Sequence, residues 1–244
     1  MTAHDIKLVA LRKREIVARD TLAFALDKPP GFTFKAGQAI DVSLIDPAEM
    51  DAKGPRRAFS IVSAPHEDHI LLATRTRDSA FKRILGRMPI GGRVQVEGPF
   101  GSLTLQSNRS RPAIFIAGGI GITPFMSILR DATHKRLPQS ITLLYSNRRP
   151  EDAAFLPELQ QLERDQRGSF KMIATMTDPP SAGQEWRGRS GMIDAELIRS
   201  VIVKPSRPIF YVVGPPAMVA GIRELLNSMR IDDDDIRSED FSGY

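Results

Sequence analysis

The chain has 244 residues, 41% of them hydrophobic, and a formal net charge of +5. That length predicts two domains of ordinary size rather than one. Cysteine is absent, which excludes disulfides, thiolate catalysis and cysteine-ligated zinc or iron–sulfur clusters, so any redox chemistry must use an organic cofactor.

No apolar run reaches the roughly 18 residues that a membrane span requires. The start, Met1-Thr2-Ala3-His4-Asp5-Ile6, lacks a basic segment followed by an apolar one. The expectation is a cytoplasmic protein without a membrane partner. Residues 1–110 carry 17 Lys+Arg against 12 Asp+Glu, and residues 111–244 carry 17 against 17. The first part therefore presents the positive field to an acidic partner, unless the asymmetry is only a solvated face. It does not interleave lysine with aromatics as a single-strand-binding surface would, so nucleic acid is not expected.

In chain order, Ile6–Val9, Thr21–Leu26, Ala39–Leu44, Ala58–Val62, Ile70–Thr76 and Arg93–Glu97 are β-branched or alternating runs, and glycine- and proline-rich turns separate them. Six short strands so spaced predict a small antiparallel barrel. One helix interrupts them, capped by Ser79, with Phe81, Ile84, Leu85 and Met88 as its apolar stripe. Leu103–Ser110 reads as a hinge. From Arg111 the rhythm changes to strands at Ala113–Ala117, Ile141–Tyr145, Lys171–Met176 and Ile209–Val213. Helical patterns at Phe125–Ala132, Ala153–Arg164 and Ala217–Met229 lie among them. Such alternation predicts a parallel sheet with crossover connections. The domains are expected at 1–105 and 111–244.

Gly118-Gly119-Ile120-Gly121-Ile122-Thr123-Pro124 follows a buried-type strand. The glycines permit a sharp turn and close approach, Thr123 is placed to cap a helix, and Pro124 suits the first helical position. Free N–H groups at such a turn face a diphosphate, although tight packing alone can also demand the glycines. The spacing is not G-x-G-x-x-G, and the next strand ends in Tyr145-Ser146-Asn147-Arg148-Arg149 rather than in an acidic residue. A hydroxyl with guanidinium groups suits a ribose 2′-phosphate and favours NADPH slightly over NADH; a merely basic loop is the alternative. Gly214-Pro215-Pro216-Ala217-Met218 makes a second strand-to-helix junction.

In Arg57-Ala58-Phe59-Ser60, strand alternation puts Arg57 and Phe59 on one face, a phosphate anchor beside an aromatic plate on the barrel surface. His66-Glu67-Asp68-His69 and Asp232–Asp235 read as a polar turn and an acidic linker, and no metal is expected at either. No serine–histidine–acid arrangement stands out for nucleophilic catalysis.

Together these motifs resemble the ferredoxin–NADP reductase family of flavoproteins. The likeness runs along nearly the whole chain and implies an antiparallel β-barrel FAD-binding domain followed by an α/β parallel-sheet NAD(P)-binding domain. By that resemblance Arg57 binds the FAD diphosphate, Ala58 and Phe59 lie along the flavin with Phe59 stacking on it, and Ser60 hydrogen-bonds near flavin N5. Phe34–Gln38 resembles the turn before this motif. Ala73, Thr74 and Arg75 lie on the strand that holds the ribityl and ribose region, and Ser79 and Ala80 open the helix at a second phosphate. Thr76 stands where the family has glycine. Glu97–Gly101 is similar to a barrel-closing turn.

The resemblance assigns Gly119, Gly121, Ile122, Thr123 and Pro124 to the nicotinamide dinucleotide, with Ser146 and Arg148 at its 2′-phosphate. Gly214, Pro215 and Met218 complete that set, and Val213 replaces the family's cysteine. Ser60, Glu239 and the terminal Tyr244 are implied at the reacting centre, with Phe241 as the alternative stacking ring. The implied chemistry is hydride transfer from NAD(P)H to FAD and electron release to a separate acceptor. An acidic ferredoxin or flavodoxin is expected in that role. The alternatives are a small diffusible acceptor such as free flavin or quinone, or a non-catalytic flavin- or nucleotide-binding subunit.

Overall fold

The structure, a computed structural model, describes residues 6–76, 79–178, 186–203 and 205–241. The chain divides into two compact units, Met1–Thr104 with Thr123–Ala132, and Leu105–Ile122 with Thr133–Tyr244.

The first unit is built on strands β1 (Lys7–Ala18), β2 (Thr21–Asp27), β3 (Ala39–Leu44), β4 (Arg56–Ser60), β5 (His69–Arg75) and β6 (Arg93–Phe100), with helix α1 (Ala80–Arg87) between β5 and β6. Their order is β4-β3-β6-β1-β2-β5, antiparallel throughout. The residues after β4 close the ends of that order on each other: Val62 N–H donates to Leu71 O at 2.7 Å, and Leu71 N–H donates to Ser63 Oγ at 2.9 Å.

β1 is longer than the predicted Ile6–Val9. It pairs with β6 through Lys7–Ala10 and with β2 through Leu11–Ala18, with register shifts at Leu11/Lys13 and Ile16/Ala18. Its charged run Arg12–Glu15 masks the alternation, because bulges let consecutive polar residues face solvent. Val9, Leu11, Phe24, Ile40, Val42, Phe59, Leu72, Phe81 and Leu85 fill the core. Fully burying each larger side chain contributes about 1.5–3 kcal/mol. The α1 stripe packs as its spacing predicts, with Ile84 and Met88 partly buried against that core.

Thr123–Ala132 group with this unit through specific contacts. Ser127 Oγ donates to Ser63 O at 2.7 Å, and Arg130 lies 3.5 Å from Glu67.

The second unit holds a parallel sheet in the order β10-β9-β8-β7-β11-β12. Its strands are β7 (Ala113–Gly118), β8 (Ile141–Asn147), β9 (Phe170–Met176), β10 (Arg189–Ser190), β11 (Ile209–Gly214) and β12 (Ile236–Asp240). Helices α2 (Thr123–His134), α3 (Leu156–Asp165), α4 (Ala195–Val201) and α5 (Pro216–Ser228) connect them. β7 and β11 are buried at every position, which explains their unbroken apolar runs. Helix α3 starts later than the predicted Ala153 because a short 3₁₀ turn at Pro150–Asp152 and a left-handed Phe155 (φ 60°) intervene.

Three elements escape the sequence pattern: β10, α4 and β12. Asp194 caps α4 by accepting from Leu197 N–H at 2.7 Å. The tail after Asp235 forms β12 instead of continuing an acidic linker, with Val213 opposite Glu239 and Gly214 opposite Asp240. Its polar residues are tolerated because it is an edge strand with one paired side.

The segment at Gln106 is tied to β11 through Tyr211. The tyrosine hydroxyl accepts from Gln106 N–H at 2.9 Å and donates to Gln106 Oε1 at 2.5 Å, while its ring meets Phe115 edge-on at 5.2 Å. Tyr211 is fully buried and Gln106 nearly so. Tyr211→Phe leaves both Gln106 groups unpaired and should lower unfolding stability by about 1–3 kcal/mol, read from the urea midpoint.

Candidate functional site

In the first unit, Arg57 and Phe59 do share one face of β4: the Arg57 guanidinium lies 5.3 Å from the Phe81 ring centroid, and the Phe59 ring 5.8 Å from the same ring. The expected open aromatic plate is not what forms. Phe59 is 8% exposed and belongs to the barrel core, because α1 brings Phe81 onto that face and two apolar rings gain more by mutual burial than by facing water.

Arg57 is the better exposed partner, with 17% of its side chain accessible. Its Nη2 donates to Asp51 Oδ1 at 2.5 Å, and Nη1 donates to the carbonyl oxygens of Lys53, Gly54 and Arg56 at 3.0, 2.7 and 2.7 Å. Ser79 stands at the N-cap of α1, where Oγ accepts from Lys82 N–H at a long 3.4 Å. The same hydroxyl donates to Asp51 Oδ2 at 3.1 Å. Arg57 and Ser79, separated by 22 positions, thus converge on one carboxylate. A guanidinium, a hydroxyl and the positive end of α1 form a donor set that suits phosphate oxygens, so the residues present fit a diphosphate-bearing flavin. The Arg57 hydrogen bond holds the Asp51 carboxyl below the usual carboxylate range.

The remaining barrel candidates lie nearby in sequence register. Ser60 is 7% exposed and pairs with Ala39, whereas Ala58 is exposed. On β5, Ala73 and Thr74 are buried and Arg75 is half-buried. Ala80 is the first, buried residue of α1.

In the second unit, the sheet order reverses at β7, whose onward connection leads to β8 on one side while β11 and β12 lie on the other. Open α/β sheets bind ligands at the carboxyl ends of strands at such a point. The Gly118–Pro124 turn and the Gly214–Met218 turn meet there. A Cβ on Gly121 would overlap Val213 O and the Gly214 backbone, and one on Gly118 would overlap Met218 Sδ and Pro215 Cδ. Gly119 adopts φ 53°, a conformation that favours glycine. Gly121 is therefore required by the packing of two strand ends on each other, and Gly118 is crowded by the Met218 and Pro215 side chains. Tyr145 Oη donates to Gly119 O at 3.2 Å and Ala154 O at 3.1 Å, anchoring the turn.

The turn itself differs from the expectation that Thr123 caps a helix. Gly119–Ile122 forms a 3₁₀ turn that runs directly into α2, so Thr123 and Pro124 already lie in the first helical turn, both buried. Pro215 occupies the N-cap of α5, and Met218 sits in that helix's first turn.

At the end of β8, Ser146 is half-buried and Arg148 exposed. Between them, Asn147 is 4% exposed, yet neither atom of its amide has a hydrogen-bond partner among the described residues. A buried amide without partners at a parallel strand's carboxyl end fits a nucleotide's polar edge. The sequence reading passed over Asn147, and it passed over Asp51, because nothing local marks an asparagine as buried or an acidic loop residue as a bridge.

Glu239 is half-buried on β12. Burial, and then the neighbouring Asp240 carboxylate, push its carboxyl above the usual range. Phe241 follows, its N–H donating to Gly214 O at 3.0 Å. Tyr244 lies outside the described residues. In the His66–His69 turn, His69 lies 3.6 Å from Glu67 and 3.0 Å from Asp68, and Arg12 Nη1 lies 3.1 Å from Asp68. Among the described residues no group of three or more acidic or histidine side chains is arranged to hold a metal ion, and no helix is long and apolar enough to cross a membrane.

Residues 115–224 match the family model of the oxidoreductase NAD-binding domain. The chain is 30% identical over 228 residues to ferredoxin–NADP reductase B of Sorangium cellulosum, covering 91% of this chain and 90% of that protein. It is 28% identical over 231 residues to reductase component 2 of the terephthalate 1,2-dioxygenase of a Comamonas species; this covers 93% of the chain but only 66% of that protein, just under two thirds. The fold superposes on a crystal structure of a ferredoxin NADP+ reductase from Neisseria gonorrhoeae with a TM-score of 0.79 at 22% identity, covering 96% of this chain and 98% of that one. A closed antiparallel unit, a parallel sheet whose switch point carries a glycine turn, and 30% identity over nearly the full length of a ferredoxin–NADP reductase lead to one placement: the chain belongs to the ferredoxin–NADP reductase family of flavin- and NAD(P)-dependent oxidoreductases.

Proposed function

We propose that this protein is an FAD-dependent oxidoreductase that takes hydride from NAD(P)H and passes electrons to a separate acceptor, an acidic ferredoxin or flavodoxin. The observation that carries it is the convergence of Arg57 and Ser79 on a single anion at the start of α1. Membership of the family, and the relatives named above as reductases or reductase components, support the same reading. The Neisseria structure holds FAD and NADP. We assign FAD binding to residues 1–105 and NAD(P)H binding to residues 111–244.

In this scheme Arg57 and Ser79 bind the flavin diphosphate, with Ala80 at the helix start. Ala58, Ala73, Thr74 and Arg75 line the flavin and its linker, Phe59 supports that face from the core, and Ser60 positions the reactive edge. The Gly119–Pro124 turn and Gly214, Pro215 and Met218 seat the nicotinamide nucleotide. Ser146 and Arg148 read its 2′-phosphate. Bound FAD would supply the conversion of hydride into single electrons, which the protein's own side chains cannot perform. Glu239 is assigned to the reacting centre by resemblance, and its half-burial, which raises its carboxyl pKa, favours the protonated form. Tyr244 is assigned beside it by resemblance.

Stopped-flow mixing of the flavin-loaded protein with NADPH should bleach the flavin absorbance. A persistent oxidised spectrum would reject the enzyme in favour of a binding subunit. Acceptor reduction should slow steeply as salt shortens the Debye length toward ~10 Å, whereas a flat salt profile identifies a small or neutral acceptor. Arg148→Ala should raise KM for NADPH about tenfold or more and leave KM for NADH nearly unchanged, since only NADPH offers a 2′-phosphate to the guanidinium.

For Glu239 the sign follows from its raised carboxyl pKa. The unfolded chain gives up the proton at lower pH than the native state, so native stability falls as pH rises through the ordinary carboxyl range and stays lowered above the native pKa. Glu239→Gln should therefore raise Tm at pH 7 while leaving Tm unchanged near pH 3, where both carboxyls are protonated.

A further inference from the structure

The connection between β3 and β4, residues 45–55, carries three carboxylates, and two of them, Glu49 and Asp51, fasten it to α1. Glu49 accepts from Arg83 Nε at 3.2 Å and Nη2 at 2.9 Å. Asp51 bridges Arg57 and Ser79, and its Oδ1 also accepts from Lys53 N–H at 3.0 Å. Arg57 is enclosed by the same connection, whose Lys53 and Gly54 carbonyls take Nη1 while Asp51 takes Nη2. Both terminal nitrogens of the guanidinium are therefore engaged. A diphosphate that takes up the Ser79 hydroxyl and the Arg57 Nη2 hydrogen held by Oδ1 displaces the Asp51 carboxylate from both. An ionised Asp51 left in place would also face it as a like charge a few ångströms away.

We propose that Asp51 is a built-in competitor of the flavin diphosphate: it holds Arg57 and Ser79 in an anion-binding arrangement, is exchanged for the diphosphate, and so sets how tightly the protein retains FAD. This rests on the assignment of Arg57 and Ser79 to the flavin. Asp51 suits the role in three respects. It is partly exposed, with 29% of its side chain accessible, so water can take up its carboxylate once it is displaced. It lies on a connection rather than in a strand, so no sheet pairing restrains it. Its carboxyl is held below the usual range, so it competes fully charged across the neutral range.

The competition predicts a selective effect of charge removal. Asp51→Asn keeps the side chain's shape while removing its charge, and Asp51→Ala removes both competitor and acceptor. Apoprotein titrated with FAD and, separately, with riboflavin, read by flavin fluorescence, tests the idea. Both variants should bind FAD about tenfold tighter than the parent protein. Affinity for riboflavin, which carries no phosphate, should not change. Unchanged or weaker FAD binding in both variants would overturn the proposal and make Asp51 a support that orients Arg57. An equal gain on riboflavin would overturn it too, by showing a general loosening of the connection. Failure of the parent protein and both variants to bind FAD, with native far-ultraviolet circular dichroism, would instead remove the flavin assignment on which the proposal rests.

Discussion

The close approach of two parallel strand ends governs the second unit. Gly121 lies against Val213 and Gly214, and Gly118 against Pro215 and Met218, at distances that leave no room for a Cβ. Because β7 and β11 are adjacent and fully buried, their carboxyl ends can come together only if the backbone there carries no side chains. That constraint places the 3₁₀ turn and the start of α5 around one point of the sheet, where the order of strands reverses. A glycine-rich turn is often credited to its ligand, but here packing alone already demands Gly121 and crowds Gly118.

The first unit solves a different problem. A closed sheet removes exposed edges, and its one helix covers the core with Phe81 and Leu85 while presenting Ser79 at its start. The strand that follows the long β3–β4 connection supplies Arg57 on the face toward that helix. Two residues distant in the chain thereby form a single anion-binding pair, already satisfied by a carboxylate from the connection itself. The low exposure of Phe59 follows from the same geometry, since the helix that brings Ser79 to Arg57 also brings Phe81 to Phe59.

Much of this was legible in the residue pattern. The core positions of α1 follow from helical spacing, β2 and β3 from alternation, and β7, β8 and β11 from unbroken apolar runs bounded by turns. The turn at Gly118–Pro124 and the pair Arg57 and Phe59 stand out because glycine, proline and strand alternation each impose a local rule. β1 was truncated by its charged run, and β12 was hidden because an edge strand of Ile-Arg-Ser-Glu-Asp looks like a solvated tail. The 3₁₀ turn was also missed, since a threonine before a proline signals a cap unless the preceding glycines already coil.

Composition and order alone determined two units of opposite architecture, the absence of thiol chemistry, and a short set of residues suited to anions. Local rules suffice for these, because period, turn chemistry and charge act between neighbours in the chain. Only the tertiary structure decided that Asp51 sits between Arg57 and Ser79, that the Asn147 side-chain amide is buried without a partner among the described residues, and that Phe59 turns into the core. Each of those depends on which side chain another element delivers to the same place, and no spacing along one strand carries that information.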